Sequence, residues 1–145
     1  MTHQHLRRSY YFNVLFPICL GTLVYLMFRP DWSIDNLASK IPFMTELRSW
    51  IYVGFQPASL WGIFFKYHLT DFLWAYSLCW TTVYGGKRLA PRILFAVAFC
   101  TFMEVIQIFP FMHATFDWWD ILTQLIGVLL ASLIYYFQIK QITTE

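Results

Sequence analysis

Glu104, Gln107, His113, Asp117, Asp120 and Gln124 fall within 21 positions of this chain, in a stretch that is otherwise strongly apolar. Carboxylates and an imidazole so grouped can move protons, and with glutamine amides beside them they can bind a polar ligand. Ionisable groups placed near hydrocarbon are costly, so such a cluster is read first as a functional site. The spacing sharpens it. Cys100, Glu104 and Gln107 recur at i, i+4 and i+7, and Asp120, Gln124, Gly127 and Ala131 at i, i+4, i+7 and i+11. Each set therefore forms one stripe on a helix, and the two stripes are expected to face one another. Gly127-x-x-x-Ala131 adds a small-residue groove through which these two helices would approach closely. Asp71, further upstream, is expected to cap a helix and to line the same site.

The elements that position these residues are membrane helices. The chain has 145 residues, of which 59% are hydrophobic, 21% aromatic and only 12% charged. Soluble domains carry about 25% charged residues, so this composition indicates an integral membrane protein. The length allows about four spans of roughly 20 residues and excludes a separate soluble domain. Spans are expected at about 10–28, 70–84, 91–109 and 120–138. The first is preceded by Arg7 and Arg8, stopped by Arg29-Pro30, and too long for a signal-peptide core. The third opens with Pro91 in its first turn, and the fourth follows Asp117-Trp118-Trp119-Asp120.

Between the first two spans lies an aromatic segment, 41–66, broken by Gly54, Pro57 and Gly62. Aromatic amphipathic sequence favours the headgroup level, so an interfacial or re-entrant helix is expected there. Thr70 or Asp71 then reads as the N-cap of a short second span. An alternative runs that span from Ser59 through Tyr84, with Lys66 snorkelling and Asp71 buried. The fold class is thus all-α: one domain, a small polytopic bundle of four transmembrane helices.

Basic residues orient it. With four spans, Arg7, Arg8, Lys87, Arg88, Arg92 and Lys140 lie on one side, and Arg29, Lys40, Arg48 and Lys66 on the other. The positive-inside rule puts both termini in the cytoplasm and opens the polar cluster away from it. ATP and other cytoplasmic substrates are then excluded from the site. Phosphate-binding glycine loops and Gly-x-Ser-x-Gly elbows are absent from the sequence, and its histidines and carboxylates show no fixed metal-ligand spacing. No cofactor or metal is expected. The sparse basic residues flank spans and do not suggest nucleic-acid binding. Cys19, Cys79 and Cys100 sit singly in apolar runs and read as reduced packing residues. A transporter would need a homo-oligomer to enclose a path.

Glu104-x-x-Gln107, Pro110, Thr115-Phe116-Asp117-x-x-Asp120, Gln124 and Gly127 together resemble the C-terminal signature of the VanZ-like membrane protein family, and His68-Leu69-Thr70-Asp71-x-x-Trp74 resembles the acidic start of its second span. Phe72 and Ala75 stand where members nearer the namesake carry Lys and His. The resemblance implies a bacterial inner-membrane protein of the cell envelope, in a family whose namesake is linked to glycopeptide resistance. Two functions are expected. In the first, Asp71, Glu104, Gln107, His113, Asp117, Asp120 and Gln124 bind a membrane lipid headgroup, a lipid-linked envelope precursor or an amphiphilic drug. In the alternative, Glu104 is the acid/base of a small membrane hydrolase or transferase acting on a lipid-linked substrate.

Overall fold

The structure is a computed structural model that describes residues 8–28, 42–52, 57–84, 88–109 and 116–143. Every regular element among them is a helix. Helix α1 is Arg8–Phe28 and contains a π-helical turn at Tyr11–Leu15. Helix α2 is Pro42–Ile51. Helix α3 is built from Leu60–Ile63, a π-helical turn at Phe64–His68, and Leu69–Val83. Helix α4 is Leu89–Ile106, and α5 is Trp118–Thr143. Arg8–Phe28, Leu89–Ile106 and Trp118–Gln138 are long and apolar enough to cross a membrane. This is a helical membrane protein.

Helices α1, α3, α4 and α5 run alternately up and down. At one end the Tyr10 and Tyr84 rings meet at 4.8 Å, and Ser9 Oγ donates to Gln138 Oε1 at 2.8 Å. At the other, His68 meets Asp120. The two ends of the described chain thus lie at the same end of the bundle.

Helix α3 is the central element and packs on all three apolar helices. It is also the least apolar of the four, carrying Lys66, His68, Asp71, Ser77, Thr81 and Thr82. Three of its hydroxyls are satisfied within the helix, Ser77 donating to Leu73 O at 2.8 Å, Thr81 to Ser77 O at 2.9 Å and Thr82 to Cys79 O at 2.8 Å. Arg92 Nη1 donates to Thr82 O at 2.7 Å and so closes the C-terminal end. Cys79, Trp80 and Val83 are fully buried there, with Trp80 edge-on to Tyr135 at 5.2 Å. Apolar helices gain little from one another by leaving lipid, so tight packing and interhelical hydrogen bonds hold such a bundle together.

Three expectations are corrected. The helix bearing Asp71 begins eleven or twelve residues earlier than a cap at Thr70 or Asp71 requires, as in the longer alternative. Ser59 is its extended N-cap, accepting from Gly62 N at 3.2 Å, and helical backbone continues through the π turn. Asp71 is therefore inside the helix body and caps nothing, while Thr70 donates to Gly21 O on α1 at 3.3 Å. Secondly, the groove at Gly127 serves α3 and not α4. A β-carbon on Gly127 would lie 2.6 Å from Phe72 O and 3.2 Å from Tyr76 N, so only glycine allows this approach. Thirdly, Lys66 does not reach out: it is buried, with Nζ 5.2 Å from the Tyr67 ring centroid. Of the segment 41–66, the described parts are α2, with Phe43 and Trp50 exposed, and the start of α3, with Leu60 and Trp61 exposed. Residues 41 and 53–56 lie outside the described residues.

Candidate functional site

Two polar groups, one turn apart on α5, make up the site. The deeper centres on Glu104, in the last turn of α4 and only 3% exposed. Gln124 Nε2 donates to Glu104 Oε1 at 2.6 Å, and Gln107 Nε2 donates to Oε2 at 3.0 Å. Each carboxylate oxygen thus has an amide donor, which is what permits a carboxylate to be buried. Gln124 is itself 7% exposed, and its Oε1 has no hydrogen-bond partner among the described residues. A buried amide oxygen left without a donor costs about 1–3 kcal/mol, so its vacancy calls for a reason.

The shallower group sits at the start of α5. Asp117 precedes the helix, and its Oδ1 accepts from Trp119 N at 2.9 Å, so it acts as the N-cap. Asp120 lies in the first turn, where a carboxylate also favours the helix dipole, but its side chain reaches across to α3. There His68 Nδ1 stands 2.7 Å from Asp120 Oδ1. With the proton on Nδ1, the imidazole donates to Asp120 and Nε2 keeps an accepting lone pair. One ligating atom from each of His68, Asp117 and Asp120 lies within 4.8 Å of the others.

The chain finds no match among protein-family models, curated proteins or solved structures. Function must therefore be argued from the site itself.

The structure brings together Glu104, Gln107 and Gln124, and separately Asp117 and Asp120. Of the two stripes expected from spacing, Cys100 and Glu104 on α4 are buried while Gln107, just past the helix end, is part-buried, and Asp120, Gln124, Gly127 and Ala131 are all buried on α5. Asp71 is half-buried on α3, and both it and Glu104 lie within electrostatic range of Cys100. His113 lies outside the described residues. His68 is the residue that spacing missed. The π turn ending at His68 holds one residue more than an α turn, Leu69 N bonding to Phe64 O, so positions before it are rotated by about 100° against α-helical counting. The available signal was chemical: a histidine three residues before an aspartate, in apolar sequence.

Trp118, Trp119 and Trp61 are all strongly exposed at this end. Phe116 packs edge-on to Trp118 at 4.8 Å.

Proposed function

We propose that this is a VanZ-like cell-envelope protein of the bacterial inner membrane, with cytoplasmic termini, that binds the polar headgroup of a membrane lipid, a lipid-linked wall precursor or an amphiphilic drug. The observation that carries this reading is Glu104, a buried carboxylate held by Gln107 and Gln124, beside a Gln124 oxygen that awaits a donor. A hydroxyl, amide or ammonium group entering from the Asp117 end would supply that donor and meet carboxylates on its way. In this reading α3 crosses the bilayer as a fourth span shielded by its three neighbours. The aromatic segment and the exposed tryptophans sit at the headgroup level. The VanZ-like assignment rests on the quoted residues alone, and a role in envelope-stress or glycopeptide resistance follows from it.

The test compares wild type with Glu104→Gln and Asp120→Asn in the host, scoring membrane level and sensitivity to envelope-active drugs together. Lipid retained by the purified protein is measured by native mass spectrometry. Normal protein level with changed drug sensitivity and reduced lipid retention is the expected outcome. Collapse of the level in both variants would make the carboxylates packing partners only and end this reading.

The His68–Asp120 pair favours a second reading, a membrane hydrolase or transferase. A carboxylate that orients an imidazole leaves Nε2 placed as a general base, with Glu104 as the second acid/base group. Turnover of a lipid-linked substrate that is lost in both His68→Gln and Glu104→Gln would favour it over simple binding.

A further inference from the structure

We infer that His68, Asp117 and Asp120 form a divalent-cation site at the junction of α3 and α5. This deepens the headgroup-binding reading and rests on it for its biological purpose, but not for its chemistry.

The donors converge from two helices. One ligating atom from each residue lies within 4.8 Å of the other two, and His68 and Asp120 are already 2.7 Å apart. Bonds of about 2.0–2.1 Å in tetrahedral geometry set ligand atoms roughly 3.3 Å apart. Side-chain rotations of about an ångström or so therefore bring all three into a coordination sphere. A carboxylate has two oxygens, so Asp117 can keep one on Trp119 N as a cap and offer the other.

Local structural needs do not explain the grouping. Capping requires one acidic residue, and Asp117 fills that role. Asp120 is directed away from its own helix end toward the imidazole of another element. Two carboxylates this close oppose each other's charge, and a bound cation relieves that opposition. A dication balances both.

A second observation lies one turn deeper on the same face of α5, where the buried Gln124 Oε1 has no hydrogen-bond donor among the described residues. Water bound to a cation at the head of α5 is a strong donor and would supply that hydrogen bond. Three protein ligands also leave at least one coordination position open. That position would take an oxygen of the headgroup, which explains how an acidic site can hold an oxygen-rich ligand. One imidazole and two carboxylates, without thiolate, suit Zn²⁺ or Mn²⁺.

The test uses the full-length chain, purified in detergent, stripped with chelator and titrated with Zn²⁺ or Mn²⁺ alone, with no lipid added. Calorimetry gives stoichiometry, and Co²⁺ absorption reports coordination directly. One equivalent per chain is expected, weakened about tenfold or more by His68→Asn and by Asp120→Asn. Glu46→Gln, at an exposed position on α2, serves as the control and keeps wild-type affinity. Helical circular dichroism of each variant guards against misfolding; if Asp120→Asn misfolds, His68→Asn and the Co²⁺ spectrum of the wild type decide. Absence of saturable binding by the wild type overturns the inference, and so does wild-type affinity in folded His68→Asn. Because lipid is left out, failure here is separate from failure of the headgroup reading, which shows as unchanged lipid retention in Glu104→Gln.

Discussion

At the scale of single residues, the site depends on which groups remain paired when one is removed. Glu104→Gln keeps shape and exchanges a carboxylate for an amide, so one Gln107 or Gln124 donor meets an NH₂ group. Glu104→Ala strands both donors and leaves a void. It should cost more, about 3–5 kcal/mol against about 1–2 kcal/mol for the glutamine variant, as read from unfolding in mixed detergent. Equal losses in the two variants would mean that the amide bonds contribute little. Gly127→Ala is the sharpest steric test. Its new methyl would meet the Phe72 carbonyl oxygen at 2.6 Å, and backbone gives way less readily than a side-chain end. A loss of about 1–3 kcal/mol or more is expected. Gly21→Ala meets the Trp74 ring at 3.0 Å and should cost less, because that ring is part-exposed and can tilt. Part of this scale was legible in the sequence: spacing placed Glu104 with Gln107 on one stripe and Gln124 on the stripe facing it. The Gly127 contact was not, because a small-residue groove declares that a helix approaches without saying which one.

At the scale of elements, the two π turns control what faces what. The turn at Phe64–His68 carries the imidazole to α5, and the turn at Tyr11–Leu15 carries Asn13 to the Tyr76 hydroxyl. Trp80 Nε1 donates to that same hydroxyl at 3.1 Å, and Asn13 Nδ2 donates to Ser9 O at 2.8 Å, so a second polar chain ties α1 to α3. Deleting Phe65, an exposed residue of the π turn, should restore regular α-helix and turn the preceding residues by about 100°. Because His68 ends the turn, its neighbours and entry angle change while Leu69–Val83 stays in place. Helix content should hold while Zn²⁺ affinity falls about tenfold or more. Unchanged affinity would show that the turn does not set the imidazole. Such turns have no recognisable sequence signature, which is why the start of α3 and the part played by His68 were the least legible features. The stripes of α4 and α5, which contain no such turn, were legible except at Gln107, which follows the last residue of α4 and is only part-buried.

At the scale of the whole molecule, polarity is arranged against the usual soluble order. Helix α3, which carries Lys66, His68 and Asp71, packs on all three apolar helices, while α4 presents Leu94, Phe95, Phe99 and Phe102 outward. Composition made the helical membrane class legible from the start, since apolar residues need no water-facing counterpart where lipid is the solvent. Enclosure also predicts thiol reactivity. Cys19 is exposed, whereas Cys79 and Cys100 are buried on α3 and α4. In mild detergent, a small uncharged maleimide should label one thiol per chain, and all three only after denaturation, as counted by intact mass. Fast labelling of three thiols in the folded protein would contradict the packing described here.

The enclosure of α3 has a further consequence during synthesis. In the four-span reading proposed above, a segment with Lys66, His68 and Asp71 in its first half pays a penalty of about 2.5–3.5 kcal/mol for each charge carried toward the bilayer centre, and so is a poor substrate for insertion on its own. The partners that shelter it lie on both sides in the sequence: α1 emerges from the ribosome first, and α4 and α5 emerge last. Nascent α3 therefore waits for chain that has not yet been made, and stop codons placed before α5 should yield a product that quality-control proteases remove instead of a partly active fragment.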